Sequence, residues 1–233
     1  MGKGAKIVVS KNGPYLVSGK LPLGKEIIEI GSDGEPARWQ SAKSYPVKES
    51  YALCRCGQSK HKPFCDGTHA EIKFKGTETA SRKKYSSQAK KIIGPGLVLA
   101  DAPSLCASAR FCHGKGGIRK LVLSSDKSKL KAAAVREACN CPSGRLVARD
   151  KKTGKPIEPH FEPSLSLIED PQAGVSGPIW VKGGAPVESS DGHKYKTRNR
   201  VTLCRCGKSK NKPFCDGTHI SSKFSDGDKS LGK

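Results

Sequence analysis

Residues 53–69 read LCRCGQSKHKPFCDGTH, and residues 203–219 read LCRCGKSKNKPFCDGTH. The two stretches agree at 15 of their 17 positions and begin 150 residues apart. Each contains three cysteines and one histidine in the order C-x-C-x8-C-x3-H, which is a complete set of four ligands for a metal ion or cluster. The first ligand set is Cys54, Cys56, Cys65 and His69, and the second ligand set is Cys204, Cys206, Cys215 and His219.

The spacing within each set favours an iron–sulfur cluster over a zinc ion. Zinc sites usually separate paired cysteines by about two to four residues and place the second pair about twelve residues or more away. Here the first pair is C-x-C, which is tight for zinc, and the remaining two ligands follow closely. In a two-iron cluster, the C-x-C pair binds one iron and the Cys and His pair binds the other. A structural zinc ion remains the alternative.

The second half of each ligand set predicts a short helix. With Pro63 in the first turn of that helix, Cys65 and His69 would lie on one face, and the helix N-terminus would point at the metal. Asp66 would then cap the helix or orient the histidine, and Gly67 would allow the backbone to approach the cluster. Because an exposed imidazole takes up a proton at mildly acidic pH, we expect a proton-linked potential and acid-labile clusters.

The composition favours small, loop-rich modules that bind an acidic partner. Only 35% of the 233 residues are hydrophobic, and the chain has 26 glycines and 15 prolines, which is a thin supply for one large core. The net charge of +22 comes from 43 basic and 21 acidic residues and favours acidic protein partners. The basic residues are spread along the chain instead of forming one patch, so a nucleic-acid binder is disfavoured.

The sequence also predicts where the protein works and what it does not do. No segment has the length and apolar character of a signal peptide or a membrane span, so we expect a cytoplasmic protein without membrane contact. In that reducing compartment, clustered cysteines bind metal instead of forming disulfides. No Ser-His-Asp order, phosphate loop or dinucleotide fingerprint is present, which favours a redox carrier over an enzyme.

The repeat extends beyond the ligand sets. Residues 12–23, NGPYLVSGKLPL, parallel residues 176–187, SGPIWVKGGAPV, and both predict a strand after a Gly-Pro turn. A loop at residues 31–50 is predicted as an insertion in the first copy. The sequence therefore predicts two related β-rich modules, at residues 1–80 and 171–233. Because they are duplicates, we expect them to pack as an intrachain pseudo-dimer, which leaves the protein a monomer.

Between these modules lies a predicted α+β unit at residues 97–150, preceded by a basic linker at residues 82–96. One helix is predicted to begin at the N-cap residue Ser104, and another to cover residues 128–138. The unit holds the four remaining cysteines in the pattern C-x5-C-x26-C-x-C, which makes all of them candidate cofactor ligands. They are Cys106, Cys112, Cys139 and Cys141.

The string CRCGxSKxKPFCDGTH resembles the ligand motif of the CDGSH iron–sulfur (mitoNEET-like) family. Thr68 and Thr218 replace the more usual serine of that motif. The resemblance implies a [2Fe–2S] cluster on the three cysteines and one histidine of each set. It also implies a fold with a β-rich cap beside a cluster loop and a short helix, often dimeric, so the two copies here would replace the dimer.

The middle unit resembles a divergent single-cluster ferredoxin-like segment that accompanies CDGSH motifs in some bacterial proteins. LCASARFC at residues 105–112 and CPSGRL at residues 141–146 carry this resemblance. It implies a [4Fe–4S] or [3Fe–4S] cluster on Cys106, Cys112 and Cys141, with Cys139 as a fourth candidate. A zinc ion, or buried cysteines without a metal, are the alternatives for this unit.

Three hypotheses of function follow from the sequence. The first is a multi-cluster iron–sulfur protein that transfers electrons or clusters to an acidic redox or cluster-acceptor protein. The second is a structural zinc protein that contacts nucleic acid or protein. The third is a redox enzyme subunit that uses the middle cluster as an open site.

Overall fold

The computed structural model describes residues 4–232, which form three β-sheets joined by short helices. The strands are β1 (Lys6–Val9), β2 (Tyr15–Ser18), β3 (Leu23–Ile30), β4 (Pro36–Tyr45), β5 (Ser50–Leu53), β6 (Lys90–Ile93), β7 (Leu97–Asp101), β8 (Leu146–Asp150), β9 (Pro156–Ile157), β10 (Ser164–Asp170), β11 (Val175–Lys182), β12 (Val187–Glu188) and β13 (Arg200–Leu203). The helices are α1 (Thr68–Glu71), α2 (Tyr85–Gln88), α3 (Ile118–Leu123), α4 (Ser128–Asn140) and α5 (Thr218–Ser221). Among the described residues, no helix combines the length and apolar character needed to cross a membrane. The predicted β-rich α+β class is confirmed.

Two of the sheets repeat one strand arrangement and exchange a strand. The first cap sheet has the order β12-β1-β2-β5, and the second cap sheet has the order β13-β11-β10-β3-β4. In the first, β12 runs parallel to β1, with Val187 opposite Ile7. In the second, β3 runs parallel to β10, with Leu23 opposite Leu165. Each cap sheet is therefore completed by a strand from the other half of the chain.

One apolar core lies between the cap sheets. It buries the inward-facing residues of strands from both, including Ile7, Val9, Tyr15, Val17, Leu165, Leu167, Ile179, Val181, Val201 and Leu203. Their β-branched and aromatic side chains alternate with exposed ones in β2, as a half-buried strand requires. The hydroxyl of Tyr15 donates hydrogen bonds to the carbonyl oxygens of Cys204, at 2.8 Å, and Pro213, at 3.0 Å. The first cap sheet thus holds the loop of the second ligand set directly.

The prediction of a loop at residues 31–50 is wrong. Residues 36–45 form β4, which pairs antiparallel with β3 along the edge of the second cap sheet. Most β4 side chains are exposed on both faces, so the sequence lacks the apolar alternation that marks a strand. Pro36, Trp39 and Tyr45 are less exposed, and the ring of Trp39 packs 4.9 Å from the ring of Trp180 and 4.7 Å from that of Phe111. The contact with Phe111 joins the β3–β4 hairpin to the middle unit.

The middle sheet has the order β6-β7-β8-β9, and α3 and α4 pack on it through a core that includes Leu99, Val122 and Ala134. The helix predicted at residues 128–138 is confirmed as α4. The prediction of a helix capped by Ser104 is wrong, because only a single 3₁₀ turn, Pro103–Leu105, forms there. Residues 82–96 were predicted as a linker, and this prediction is wrong for β6, which pairs with β7. The exposed lysines of this edge strand give it the composition of a linker.

Candidate metal centres

Backbone pairing places the ligands of each set in one loop. Cys54 follows β5, and its amide donates to the carbonyl of Pro63 at 2.8 Å, while the amide of Cys65 donates to Ala52 at 2.9 Å. The second set repeats these bonds through Cys204 to Pro213 and Cys215 to Thr202. The C-x-C arm and the later cysteine are therefore adjacent segments of a small β-structure.

The predicted helix from Pro63 to His69 is wrong, since α1 begins only at Thr68. Phe64 forms a β-bridge with Leu53, so the chain is extended before Cys65. Gly67 then has a φ of +94°, a conformation that favours glycine and separates the extended segment from the helix. No protein atom lies within 4 Å of an added Cβ at Gly67, so its positive φ is the structural reason for glycine here, and the approach of its backbone to a cluster stays a prediction.

Asp66 was predicted to cap the helix or to orient the histidine, but it organises the loop through a turn, and α1 has Gly67 at its N-cap without a side-chain cap. Its Oδ1 accepts hydrogen bonds from the amide of Thr68 at 3.1 Å and from the hydroxyl of Thr68 at 2.7 Å. Its Oδ2 accepts from the amide of Lys60 at 2.7 Å. These bonds lower the pKa of Asp66, so the carboxylate stays ionised and holds the two ends of the loop together.

The donor atoms of each set form two close pairs. The Sγ atoms of Cys54 and Cys56 are 3.7 Å apart, and Cys65 Sγ lies 3.3 Å from Nδ1 of His69. In the second set, the corresponding distances are 3.8 Å and 3.4 Å. A metal–sulfur bond of about 2.3 Å places two thiolates on one tetrahedral ion about 3.8 Å apart, so each pair fits one metal ion.

The two pairs of a set do not converge on a single ion. Four ligands of one zinc ion would all lie within about 4 Å of one another. In residues 4–232, the group with three or more candidate ligand atoms within 4.8 Å of one another is Glu169, Asp226 and Asp228, and neither cysteine set qualifies. The spread fits two adjacent metal ions, each held by one pair, as the [2Fe–2S] interpretation requires.

Burial favours the neutral thiols of Cys56 and Cys215 as long as no metal is bound. All ten cysteines of the chain are free. Burial raises the pKa of Cys56 to about 11, with a further rise from the adjacent Cys54, and burial raises the pKa of Cys215 strongly. Because metal ligation needs thiolates, bound cations must supply the charge compensation that the surroundings do not. A cluster core bound here would supply one-electron redox chemistry.

One supporting residue in each set was missed from the sequence. Arg205, between the two cysteines of the C-x-C arm, is buried and donates to Glu169 at 2.8 Å and Asp226 at 3.1 Å. Arg55 holds the same place in the first set, but it bonds to backbone carbonyls, including that of Ser10 at 3.0 Å. The sequence signal was the arginine shared by both C-R-C arms.

The two C-x-C arms touch each other. A Cβ added to Gly57 would lie 2.6 Å from the carbonyl oxygen of Cys206, and one added to Gly207 would lie 2.4 Å from that of Cys56. Both glycines have positive φ, +77° and +75°. The contact is reciprocal, so the two ligand sets are joined by backbone packing.

The surroundings of the two histidines differ. His69 is half-buried, whereas His219 has 4% of its surface exposed. The 3₁₀ turn and the following segment of the middle unit cover the second loop, where an added Cβ at Gly217 would meet Ser108 at 2.3 Å. Burial lowers the pKa of His219 to about 4, which keeps its imidazole neutral for ligation. The expectation of an exposed histidine is therefore wrong for the second set.

The structure brings three of the four middle cysteines together. Cys106, Cys112 and Cys141 line one small cavity of about 20 Å³. Burial raises the pKa of the Cys112 thiol to about 11, and the nearby Cys141 adds to the rise. Cys139 does not line this cavity, because its Sγ points to the carbonyl oxygen of Ile157 at 3.6 Å. The arrangement places three cysteines around one cavity and leaves the fourth candidate outside.

Comparison with known families agrees with the two loops. The family model described as "Iron-binding zinc finger CDGSH type" matches residues 12–70 and residues 176–220, one match for each ligand set. The chain therefore belongs to the CDGSH iron–sulfur family, carries two copies of its domain, and is an iron–sulfur protein. Neither match extends into the middle unit.

Two curated relatives are similar over a single domain. The human "CDGSH iron-sulfur domain-containing protein 3, mitochondrial" is 40% identical over 57 residues, which cover 19% of this chain and 45% of the relative. The mouse protein of the same name is 36% identical over 58 residues, which cover 19% of this chain and 42% of the relative. The chain thus spans less than half of the length of either relative.

The different burial of His69 and His219 predicts unequal acid stability of the two centres. At about pH 5, below the ordinary imidazole pKa, protons reach the half-buried His69 more readily than the covered His219. We expect cluster absorbance to decay several-fold faster in Cys215→Ala, which keeps the first set, than in Cys65→Ala, which keeps the second. Equal decay rates in these matched variants would contradict the role of exposure.

Proposed function

We propose that each ligand set holds one [2Fe–2S] cluster, giving two such clusters per chain. The observation that supports this proposal is that the four ligand atoms of each set form two close pairs. In each pair the donors are as far apart as one metal ion requires, at 3.7–3.8 Å for the two thiols and 3.3–3.4 Å for thiol and imidazole. Cys54 and Cys56 would hold one iron, and Cys65 and His69 the other, with the same roles in the second set.

A third cluster on Cys106, Cys112 and Cys141 is the second part of the proposal. Three thiols that line one cavity satisfy a [3Fe–4S] cluster, or a [4Fe–4S] cluster with one iron lacking a cysteine. Arg145 lines the same cavity, and its guanidinium is held there by Asp101, to which it donates at 2.6 Å and 2.9 Å. Cys139 has no part in this assignment, since its sulfur faces the carbonyl of Ile157.

The two CDGSH modules act as an intrachain pseudo-dimer in this proposal, so the protein works as a monomer. The exchanged strands β12 and β3, the shared core and the reciprocal contacts of Gly57 and Gly207 support it. The domain limits proposed from the sequence, residues 1–80, 97–150 and 171–233, then mark chain segments that complete one another instead of folding separately.

The proposed role is electron transfer or cluster transfer to an acidic protein, without catalysis by this chain. Partner docking is proposed at the first ligand set, because His69 is accessible there and Lys60 is exposed beside it. Lysines around an accessible centre attract an acidic surface and accelerate encounter. The protein is proposed to act in the cytoplasm, where thiols remain reduced, although the names of both matched relatives place those proteins in mitochondria.

Quantification of iron, sulfide and zinc, together with EPR of the reduced protein, tests the proposal. We expect red-brown protein whose absorbance bleaches with dithionite, two [2Fe–2S] signals, and extra iron and sulfide from the middle site. A colourless protein with stoichiometric zinc would establish the structural zinc alternative instead. Two [2Fe–2S] signals without further iron would remove only the third cluster.

A further inference from the structure

We propose that a cavity between the middle unit and the second CDGSH module binds a small organic anion that carries phosphate or carboxylate groups. The cavity has a volume of about 360 Å³ and lies between β8, β9 and residues 196–200. This volume is within the range of small-molecule sites, which is about 300–1,000 Å³. The cavity does not include the residues of any ligand set.

The lining of this anion cavity is strongly positive. It contains the cationic side chains of Lys84, Arg149, Lys196, Arg198 and Arg200, and a single carboxylate, Glu158. That carboxylate is already neutralised, because it lies 2.8 Å from the guanidinium of the fully buried Arg200. Among the described residues, the other four cations form no ion pair. The cavity therefore has four uncompensated positive charges along its walls.

Arg198 is the central feature of the cavity. It is half-buried, and its guanidinium packs 5.4 Å from the ring centre of Tyr85. Its one hydrogen bond within the described chain is a long one, 3.3 Å, to the carbonyl oxygen of Gly144. Removal from water lowers its pKa to about 10, so the surroundings do not stabilise the charge. A guanidinium in such a position is stabilised by an anion that accepts its remaining N–H donors.

The shape and chemistry of the walls define the ligand class. Guanidinium and ammonium groups recognise phosphate and carboxylate, and Arg offers the planar fork that fits either in a bidentate manner. Tyr85, Val147 and Pro156 give the cavity apolar surface for a carbon skeleton, while Thr197 and Asn199 add polar groups. A concave site of this size suits a small molecule better than the backbone of a nucleic acid, which the dispersed surface charge also disfavours.

Isothermal titration of the cluster-loaded full chain tests this proposal. The probes are inorganic phosphate, pyrophosphate and citrate, at fixed ionic strength with chloride as the competing anion. We expect saturable binding at one site for at least one probe, and a dissociation constant at least about tenfold higher in Arg198→Gln. Preference for pyrophosphate over citrate would identify phosphate as the recognised group, and the reverse would identify carboxylate.

Two further variants keep the test decisive. Lys151→Gln removes the same charge from an exposed lysine on the β8–β9 turn, outside the cavity, and should leave the affinity unchanged. Lys196→Gln alters an exposed cavity residue and should weaken binding even if Arg198→Gln does not fold. The proposal is overturned if no probe binds saturably at millimolar concentration, or if Lys151→Gln weakens binding as much as the cavity variants do.

Discussion

Replacing Cys65 by alanine is expected to remove the iron and sulfide of one [2Fe–2S] cluster from the protein and to leave the second set loaded. Its Sγ lies 3.3 Å from Nδ1 of His69, so its loss leaves one of the two metal positions with a single protein ligand. Cys215→Ala is the matched variant 150 residues later and should remove the same amount. Metal and sulfide analysis of each variant against the wild type measures the change.

The double variant Cys65→Ala/Cys215→Ala isolates the middle site. We expect it to keep only the iron of the proposed third cluster, with an EPR signal distinct from that of the [2Fe–2S] centres. Adding Cys141→Ala should abolish that remainder, whereas adding Cys139→Ala should not, because the Cys139 sulfur faces Ile157 outside the cavity. Cys139→Ala is a close control for Cys141→Ala, because the two cysteines are two residues apart.

For the single variants, an unchanged iron content in Cys65→Ala would contradict the ligand assignment of the first set.

The closeness of the cysteines and histidine within each loop was predictable because it depends on local sequence. A metal-binding loop needs its donors at fixed short spacings, and the C-x-C-x8-C-x3-H order states them directly. The position of the short helix was not predictable in the same way. Pro63 and the C-terminal half of the motif resemble a helix start, but Phe64 is drawn into a β-bridge with Leu53. Tertiary pairing overrides the local preference here.

Features that depend on contacts between distant segments of the chain could not be predicted from the sequence. Nothing local in Val187 or Leu23 shows that each pairs with the other half of the chain, since a short apolar strand fits many partners. The same limit applies to the burial of His219. The two ligand loops are nearly identical in sequence, yet one is covered by the segment around Ser108 and the other is not. The cover that the middle unit places over the second loop therefore could not be predicted from the loop sequence.

Gly57→Ala and Gly207→Ala are expected to destabilise the protein more than Gly67→Ala does. An L residue at positive φ costs about 1–2 kcal/mol. A Cβ within 2.6 Å of the Cys206 carbonyl, or 2.4 Å of the Cys56 carbonyl, adds an overpacking cost of about 1–3 kcal/mol. For a chain of this size, 1 kcal/mol lowers the unfolding midpoint by about 2–4 °C. The expected decrease is about 4–20 °C, measured by thermal unfolding at one scan rate.

Gly67→Ala separates the two contributions to this loss. Gly67 also has a positive φ, +94°, but an added Cβ there meets nothing within 4 Å. It should therefore show only the backbone cost, a decrease of about 2–8 °C on the same scale. Equal decreases in Gly57→Ala and Gly67→Ala would mean that the contact between the two C-x-C arms contributes no stability.

The contact also predicts an effect on the opposite centre. Gly57 follows a ligand of the first set, but its added Cβ would displace the backbone of Cys206, a ligand of the second. In a Cys65→Ala background, where only the second centre is loaded, Gly57→Ala should accelerate loss of that centre to a chelator by several-fold, whereas Gly67→Ala should not. Two modules that pack as one body require this cross-effect, because the ligands of each centre are held partly by the loop of the other. Independent modules would show no change in the second centre.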